Sequence, residues 1–109
     1  MSRLMRDVAT STANGAGSAS SAAGEVRQLV MVTVKYSAAP TQAGTTVTLN
    51  SGAGAGYDAV LDTGSANAQT SVYIPASPVF VAADDSIDVA APAGGGVITS
   101  SIAIYTRPA

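Results

Sequence analysis

Seven short runs of apolar and β-branched residues, each ended by turn residues, occupy most of residues 26–106. In the first run, Val30, Val32, Val34 and Tyr36 recur at every second position. Apolar residues at alternate positions are typical of a β-strand with one buried face, because successive side chains point to opposite sides of a sheet. The predicted strands are 26–36, 45–49, 57–61, 70–74, 79–81, 86–89 and 97–106.

The first run also predicts which side chains face solvent. Arg27, Thr33 and Lys35 lie on the opposite parity from the valines, so we expect them on the exposed face. Leu29 and Met31 are apolar residues that share this parity. The strand is therefore predicted to be long and half-buried.

Strands at this spacing, with no helical segment between them, predict an all-β domain. Turn signals roughly every 8–12 residues favour a β-sandwich or a barrel. About 80 residues carry the strands, and a domain of this size with few aromatic residues buries little surface by itself. We therefore expect oligomerisation to supply further buried surface.

The residue composition removes several kinds of chemistry. The chain of 109 residues has no His and no Cys, which excludes a Ser-His-Asp triad, a thiol nucleophile, a disulfide and a Cys/His zinc site. A net charge of −2 with 11% charged residues argues against a basic surface for nucleic acid. We expect no enzymatic activity, no cofactor and no nucleic-acid partner.

The N-terminal residues carry no recognisable targeting segment. No apolar run follows Arg3 and Arg6, so a signal peptide is not expected. No stretch of about 18 apolar residues occurs, so no membrane partner is expected either. These patterns favour assembly in the cytoplasm.

Residues 8–24 differ in composition from the rest of the chain. Fifteen of these 17 residues are Ala, Gly, Ser or Thr, and they show neither a helical stripe nor strand alternation. Such a segment buries too little surface to offset its ordering entropy alone, so we interpret it as an arm that lies on a partner. The alternative is a helical or irregular tail packed on its own domain. The prediction is an Ala/Gly/Ser-rich arm over residues 1–25 and a β domain over 26–109.

One short motif resembles an enzyme active site. Leu61-Asp62-Thr63-Gly64-Ser65 resembles the catalytic loop of aspartic proteases, in which two Asp carboxylates share one proton. With a single copy of the motif, this chain would have to be a homodimer. Asp-Thr-Gly is also a good turn sequence, and the chain ends in a predicted strand where that family has a C-terminal helix. A turn is the favoured interpretation, and a dimeric aspartic protease is the distant alternative.

The densest acidic group is a possible cation site. Asp84, Asp85 and Asp88 carry the oxygen ligands that calcium prefers, but their spacing fits no calcium-loop signature. We expect Asp84 and Asp85 to cap a turn and Asp88 to be a solvated strand residue. No metal site is predicted.

The four tyrosines are a second group that could bind a ligand. Tyr36, Tyr57, Tyr73 and Tyr105 could form a sugar-binding face, but the chain has no Trp to accompany them. We expect each to lie at the edge of the core with its hydroxyl in water.

The order of strands and turns resembles one group of viral proteins. Residues 78–89 (PVFVAADDSIDV), followed by a glycine turn and residues 102–105 (IAIY), resemble the C-terminal half of small jelly-roll-like proteins in tailed-phage virions. Residues 32–40 and 46–49 are similar to the first half. The resemblance implies a single antiparallel β-sandwich, jelly-roll-like, of about seven strands with an extended N-terminal arm.

The same resemblance implies a structural role. Such proteins are capsid decoration (cement) proteins, head fibres or knobs; they are often trimers, and some grip the shell with an N-terminal arm. It implies a homotrimer or other homo-oligomer on the capsid surface, assembled in the host cytoplasm and bound to the major capsid protein. The alternative is a phage tail or fibre component, or an adhesin that binds host-surface glycan.

The predicted contact residues lie at the start of the arm. They are apolar anchors flanked by arginines that could bind acidic groups on the capsid or on a neighbouring subunit. These residues are Arg3, Leu4, Met5, Arg6 and Val8.

Overall fold

A computed structural model of the chain describes residues 5–11, 17–21, 24–41 and 44–109. Within these residues the structure is all-β, with one 3-10 turn at Ala55–Tyr57. The strands are β1 (Met5–Ser11), β2 (Gly17–Ser20), β3 (Arg27–Tyr36), β4 (Thr46–Asn50), β5 (Ala59–Thr63), β6 (Thr70–Tyr73), β7 (Val79–Val81), β8 (Ser86–Ala91) and β9 (Ser100–Pro108).

The strands form two antiparallel sheets. One, the five-stranded sheet, has the order β1-β9-β3-β6, and β7 also pairs with β3. The other, the four-stranded sheet, has the order β2-β8-β4-β5. β6 pairs with residues 32–35 of β3 and β7 pairs with residues 27–29, so β6 and β7 are two halves of one interrupted strand.

Counted in this way, eight strands are divided between two packed sheets in the order of a jelly roll. The prediction of a single antiparallel, jelly-roll-like sandwich is confirmed. The seven predicted strands correspond to β3–β9. The third prediction began too early, because Tyr57 and Asp58 form and follow the 3-10 turn that precedes β5. The last prediction also began too early, since β9 starts at Ser100.

The two additional strands, β1 and β2, come from the range assigned to the arm. β1 pairs with β9 along its length, and β2 pairs with β8. In β2 the small residues alternate in burial, and they alternate only weakly in hydropathy: Ala19 is half-buried against the core and Ser20 is exposed. Backbone pairing with β8 therefore orders a segment that side-chain pattern did not predict to be a strand. A role of residues 1–25 in binding a partner stays a prediction.

The core lies between the sheets and consists mainly of valine and isoleucine. In the five-stranded sheet the inward-facing pairs include Val32–Ile104 and Val34–Ile102, and Val47–Val89 faces them from the other sheet. β-Branched side chains pack well on the pleated surface of a sheet. The buried residues of the core cluster are Leu29, Val32, Val34, Tyr36, Val47, Val81, Ile87, Val89, Ala91, Ile102 and Ile104.

A β-bulge in β3 changes which parity faces the core. Leu29 pairs with Thr106 and Met31 with Tyr105, so Val30 is an extra residue in the ladder. Before the bulge the odd-numbered residues face inward, and after it the even-numbered residues do. Arg27 was expected to be exposed, and that expectation is wrong because the bulge turns its side chain inward.

Arg27 is only 5% exposed, and a buried charge needs polar partners. Its Nη1 donates a hydrogen bond to the Thr106 hydroxyl at 3.1 Å. Its Nη2 lies 2.9 Å from Glu25 Oε1, whose side chain is half exposed. The guanidinium therefore links β3, which carries Arg27, to Thr106 of β9 and to Glu25, which precedes β3.

Candidate functional site

Asp88 links three strands on the outer face of the four-stranded sheet. Its Oδ1 accepts hydrogen bonds from the hydroxyls of Ser20 (2.8 Å) and Ser86 (3.0 Å), and its Oδ2 accepts one from Asn50 Nδ2 (2.6 Å). Partial burial disfavours the charged carboxylate, but these three hydrogen bonds outweigh it and hold the pKa of Asp88 below its ordinary value. Asp88 is therefore an ionised anchor for β2, β4 and β8, where a solvated side chain was expected.

The other acidic residues of this region hold two loops together. Asp85 Oδ1 accepts a hydrogen bond from the backbone N–H of Gly52 at 2.9 Å, and Asp58 Oδ1 accepts one from Ser51 at 2.8 Å. A Cβ at position 52 would lie 2.5 Å from the carbonyl oxygen of Asp84, so only glycine fits this approach. We call Asp58, Asp84, Asp85 and Asp88, which surround residues 50–52, the acidic edge.

Within the described ranges, no group of three or more His, Cys, Asp or Glu side chains has the geometry to hold a metal ion. The structure instead gives Asp85 and Asp88 hydrogen-bonding roles within the fold.

The protease-like motif lies at the end of β5, the edge strand of the four-stranded sheet. Gly64 donates its backbone N–H to the Thr45 carbonyl at 2.7 Å, and a Cβ on Gly64 would lie 2.8 Å from Thr45 Oγ1. Packing against Thr45 thus explains the glycine. Asp62 is the only carboxylate among the residues that line the open depression beside it, which has a volume of about 300 Å³. A dimeric protease stays an untested prediction.

The tyrosines do not share one surface. Tyr36 is buried, and its hydroxyl donates a hydrogen bond to the Pro92 carbonyl at 2.6 Å; burial raises its pKa. This corrects the expectation that its hydroxyl lies in water. Tyr73 packs against the core, whereas Tyr105 pairs with Met31 on the outer face of the same sheet. Tyr57 lies in the 3-10 turn and is 74% exposed.

The outer face of the five-stranded sheet carries a row of exposed apolar side chains. Val72 is 54% exposed, Ile74 is 66% exposed and Phe80 is 57% exposed. Val72 pairs with Thr33 and Phe80 with Gln28, both on the outward side of β3, and Ile74 directly follows β6. We call Val72, Ile74 and Phe80 the apolar stripe; it runs along the edge formed by β6 and β7.

Two cations flank the apolar stripe. At the Phe80 end, Arg107 donates two hydrogen bonds to Gln28 Oε1, from Nη2 at 3.1 Å and from Nε at 3.3 Å, and Gln28 is the pairing partner of Phe80. At the Val72 end, the exposed Lys35 pairs with Thr70. The face therefore combines an apolar centre with positive charge at both ends.

The predicted contact residues fall in two groups. Arg3 and Leu4 lie outside the described residues. Met5, Arg6 and Val8 lie in β1, where they pair with Thr106, Tyr105 and Ala103 of β9. The structure thus places the second group in the same five-stranded sheet as the apolar stripe. Sequence reasoning missed the stripe, although its residues were correctly assigned to strands or their ends.

In the part of the chain that the structure describes, no helix is long and apolar enough to cross a membrane. Comparison with protein-family models found no match to the chain, and comparison with curated proteins found no significant match. Function is therefore inferred from the jelly-roll fold and from the outer faces of its two sheets.

Proposed function

We propose that this chain is a structural virion protein, a capsid decoration (cement) protein that binds the outside of a phage head and stabilises it. The observation that supports this role best is the apolar stripe on the outer face of the five-stranded sheet. Contiguous exposed apolar side chains mark surfaces that bind other proteins. The jelly-roll fold recurs in viral capsid proteins. Because a fold alone does not determine function, the proposal also depends on this exposed apolar surface.

The proposed partners are the major capsid protein and other copies of the chain, in a homotrimer or another homo-oligomer. Arg3, Leu4, Met5, Arg6 and Val8 are the proposed contacts to the shell or to a neighbouring subunit. Complete burial of an exposed valine, isoleucine or phenylalanine side chain contributes roughly 1 kcal/mol or more. Within one homo-oligomer, contacts of this size from the linked copies reinforce one another.

Immunogold electron microscopy of phage particles from the native source tests this role. An antibody against the chain labels the head surface if the chain is a decoration protein. Label confined to the tail or fibres overturns the decoration role in favour of the alternative tail, fibre or adhesin module. Particles without label overturn both. Pre-immune serum provides the control for non-specific label.

Deletion of residues 1–24 is a poor test of shell binding. The deletion removes β1 and β2 and leaves β9 and β8 without their outer neighbours. Loss of attachment would then follow from loss of the fold. Substitution of Arg3 and Leu4, which precede β1, avoids removing a strand.

A further inference from the structure

The exposed strand cations and the acidic edge belong to different sheets. The basic residues that lie in described strands are all in the five-stranded sheet (Arg6, Arg27, Lys35 and Arg107), which also contains Asp7 in β1. The described strands of the four-stranded sheet contain no basic residue, and Asp62 and Asp88 lie in them. With Arg27 buried, Lys35 and Arg107 are exposed cations on the outer face of the five-stranded sheet, whereas the acidic edge borders the four-stranded sheet.

The acidic edge also exposes apolar surface. Tyr57 is 74% exposed, and Asp58 directly follows it. The hydrogen bonds of Ser51 to Asp58 and of Gly52 to Asp85 hold this turn beside Asp84 and Asp85. An exposed aromatic side chain next to Asp58, in a loop tied to Asp85, is complementary to an apolar stripe flanked by Lys35 and Arg107.

A contact between two identical faces is disfavoured. If two apolar stripes met around a two-fold axis, the contact would gather Lys35 and Arg107 of both copies at one interface. Like charges brought together in this way oppose binding. A head-to-tail contact pairs opposite charges and leaves one stripe and one acidic edge free to continue the assembly.

We propose that the apolar stripe of one copy docks on the acidic edge of a second copy, around Tyr57. The outer face is four paired strands wide, and β9 is nine residues long, which corresponds to roughly 600 Å². A standard interface buries about 800 Å² per partner, so a contact that covers this whole face, with the stripe at its edge, supplies most of one side. This contact would be the self-association that the proposed function includes. The contact can be disproved while the virion role stands, because labelling of the phage head does not depend on how copies of the chain associate.

Light scattering on the purified full chain tests the contact. The wild type is expected at a multiple of the 10.6 kDa protomer mass. Ile74→Glu places a carboxylate in the stripe, and Tyr57→Lys places a cation in the acidic edge. Each substitution is expected to raise the Kd of self-association by about tenfold or more, so that each variant alone is monomeric. Val97→Glu is the matched control: Val97 is 93% exposed and lies outside both surfaces, so this variant keeps the wild-type mass.

Mixing the two variants distinguishes a head-to-tail contact from a symmetric one. Ile74→Glu retains an intact acidic edge and Tyr57→Lys retains an intact stripe, so an equal mixture is expected to form a species of twice the protomer mass. A mixture that stays monomeric overturns the proposal, as does a monomeric wild type or an Ile74→Glu variant with unchanged mass. Circular dichroism verifies that each variant is folded, and Phe80→Glu replaces Ile74→Glu if that variant is not.

Discussion

The two sheets are alike on their inner faces and different on their outer faces. Inside, both present fully buried isoleucine and valine, as at Ile104 in the five-stranded sheet and Ile87 in the four-stranded sheet. Outside, the five-stranded sheet carries several apolar side chains with flanking cations. The four-stranded sheet carries Asp88 within a hydrogen-bonded network and the exposed Val60 at its edge. The inner faces meet the requirements of folding, whereas the outer faces are not constrained by core packing and differ.

The largest expected effect tests whether the inner faces of the two sheets contribute equally to stability. Ile104→Ala and Ile87→Ala each remove three carbon atoms from a fully buried side chain, so each is expected to lower the free energy of unfolding by about 3 kcal/mol. Urea denaturation measures both. Losses that differ by a factor of two or more would show that one sheet contributes far more to the core than the other.

A smaller effect, which depends on pH, is expected at Asp88. Asp88→Asn removes the charged acceptor of three hydrogen bonds. It is expected to lower the free energy of unfolding by about 1 kcal/mol at pH 7, a modest loss because the side chain is partly exposed to solvent. Because its folded-state pKa lies below the ordinary 3.8, the contribution of the carboxylate is complete above about pH 4. It is lost as the pH falls through the folded-state value.

Urea denaturation at pH 7 and pH 3 therefore gives a larger difference between wild type and Asp88→Asn at pH 7. Asp84→Asn is the control, since the Asp84 side chain is exposed. A difference that is the same at both pH values would mean that the charge of Asp88 does not stabilise the four-stranded sheet.

The smallest effect is expected on the outer face of the five-stranded sheet. Val72→Thr keeps the shape of an exposed side chain, so the free energy of unfolding should change by less than about 0.5 kcal/mol. The same substitution at the buried Val89 places a hydroxyl in the core and should cost about 2 kcal/mol. Urea denaturation at low protein concentration separates folding from association. Equal losses at both positions would show that the stripe is part of the folding core.

The sequence pattern predicted the central strands because one face of each strand is buried, so apolar residues recur at alternate positions. In β9, Ile102 and Ile104 face the core and mark the strand clearly. β1 and β2 lie at the edges of their sheets, where pairing with one neighbouring strand supplies the order. β2 consists only of Gly, Ser and Ala, whose alternation is too weak a signal to predict a strand.

The exposed surfaces were harder to predict, because both parities of a short strand can be apolar. In β6, Val72 and Tyr73 are equally plausible core residues until pairing with β3 places Tyr73 beside Val32 and turns Val72 outward. The burial of Arg27 depends on a one-residue bulge at Val30, which reverses the parity that a regular strand would have. Register, which arises from contacts distant in sequence, decides both cases.

The interruption between β6 and β7 also affects the tendency of the protein to form fibrils at high concentration. Amyloid stacking requires continuous segments of about six or seven residues with free backbone groups and no proline. At this edge β6 has four residues and β7 has three, and Pro75 and Pro78 lie between them. A proline lacks the N–H that an added strand would need. The break therefore allows an apolar surface to remain exposed at high local concentration without offering a template for fibrils.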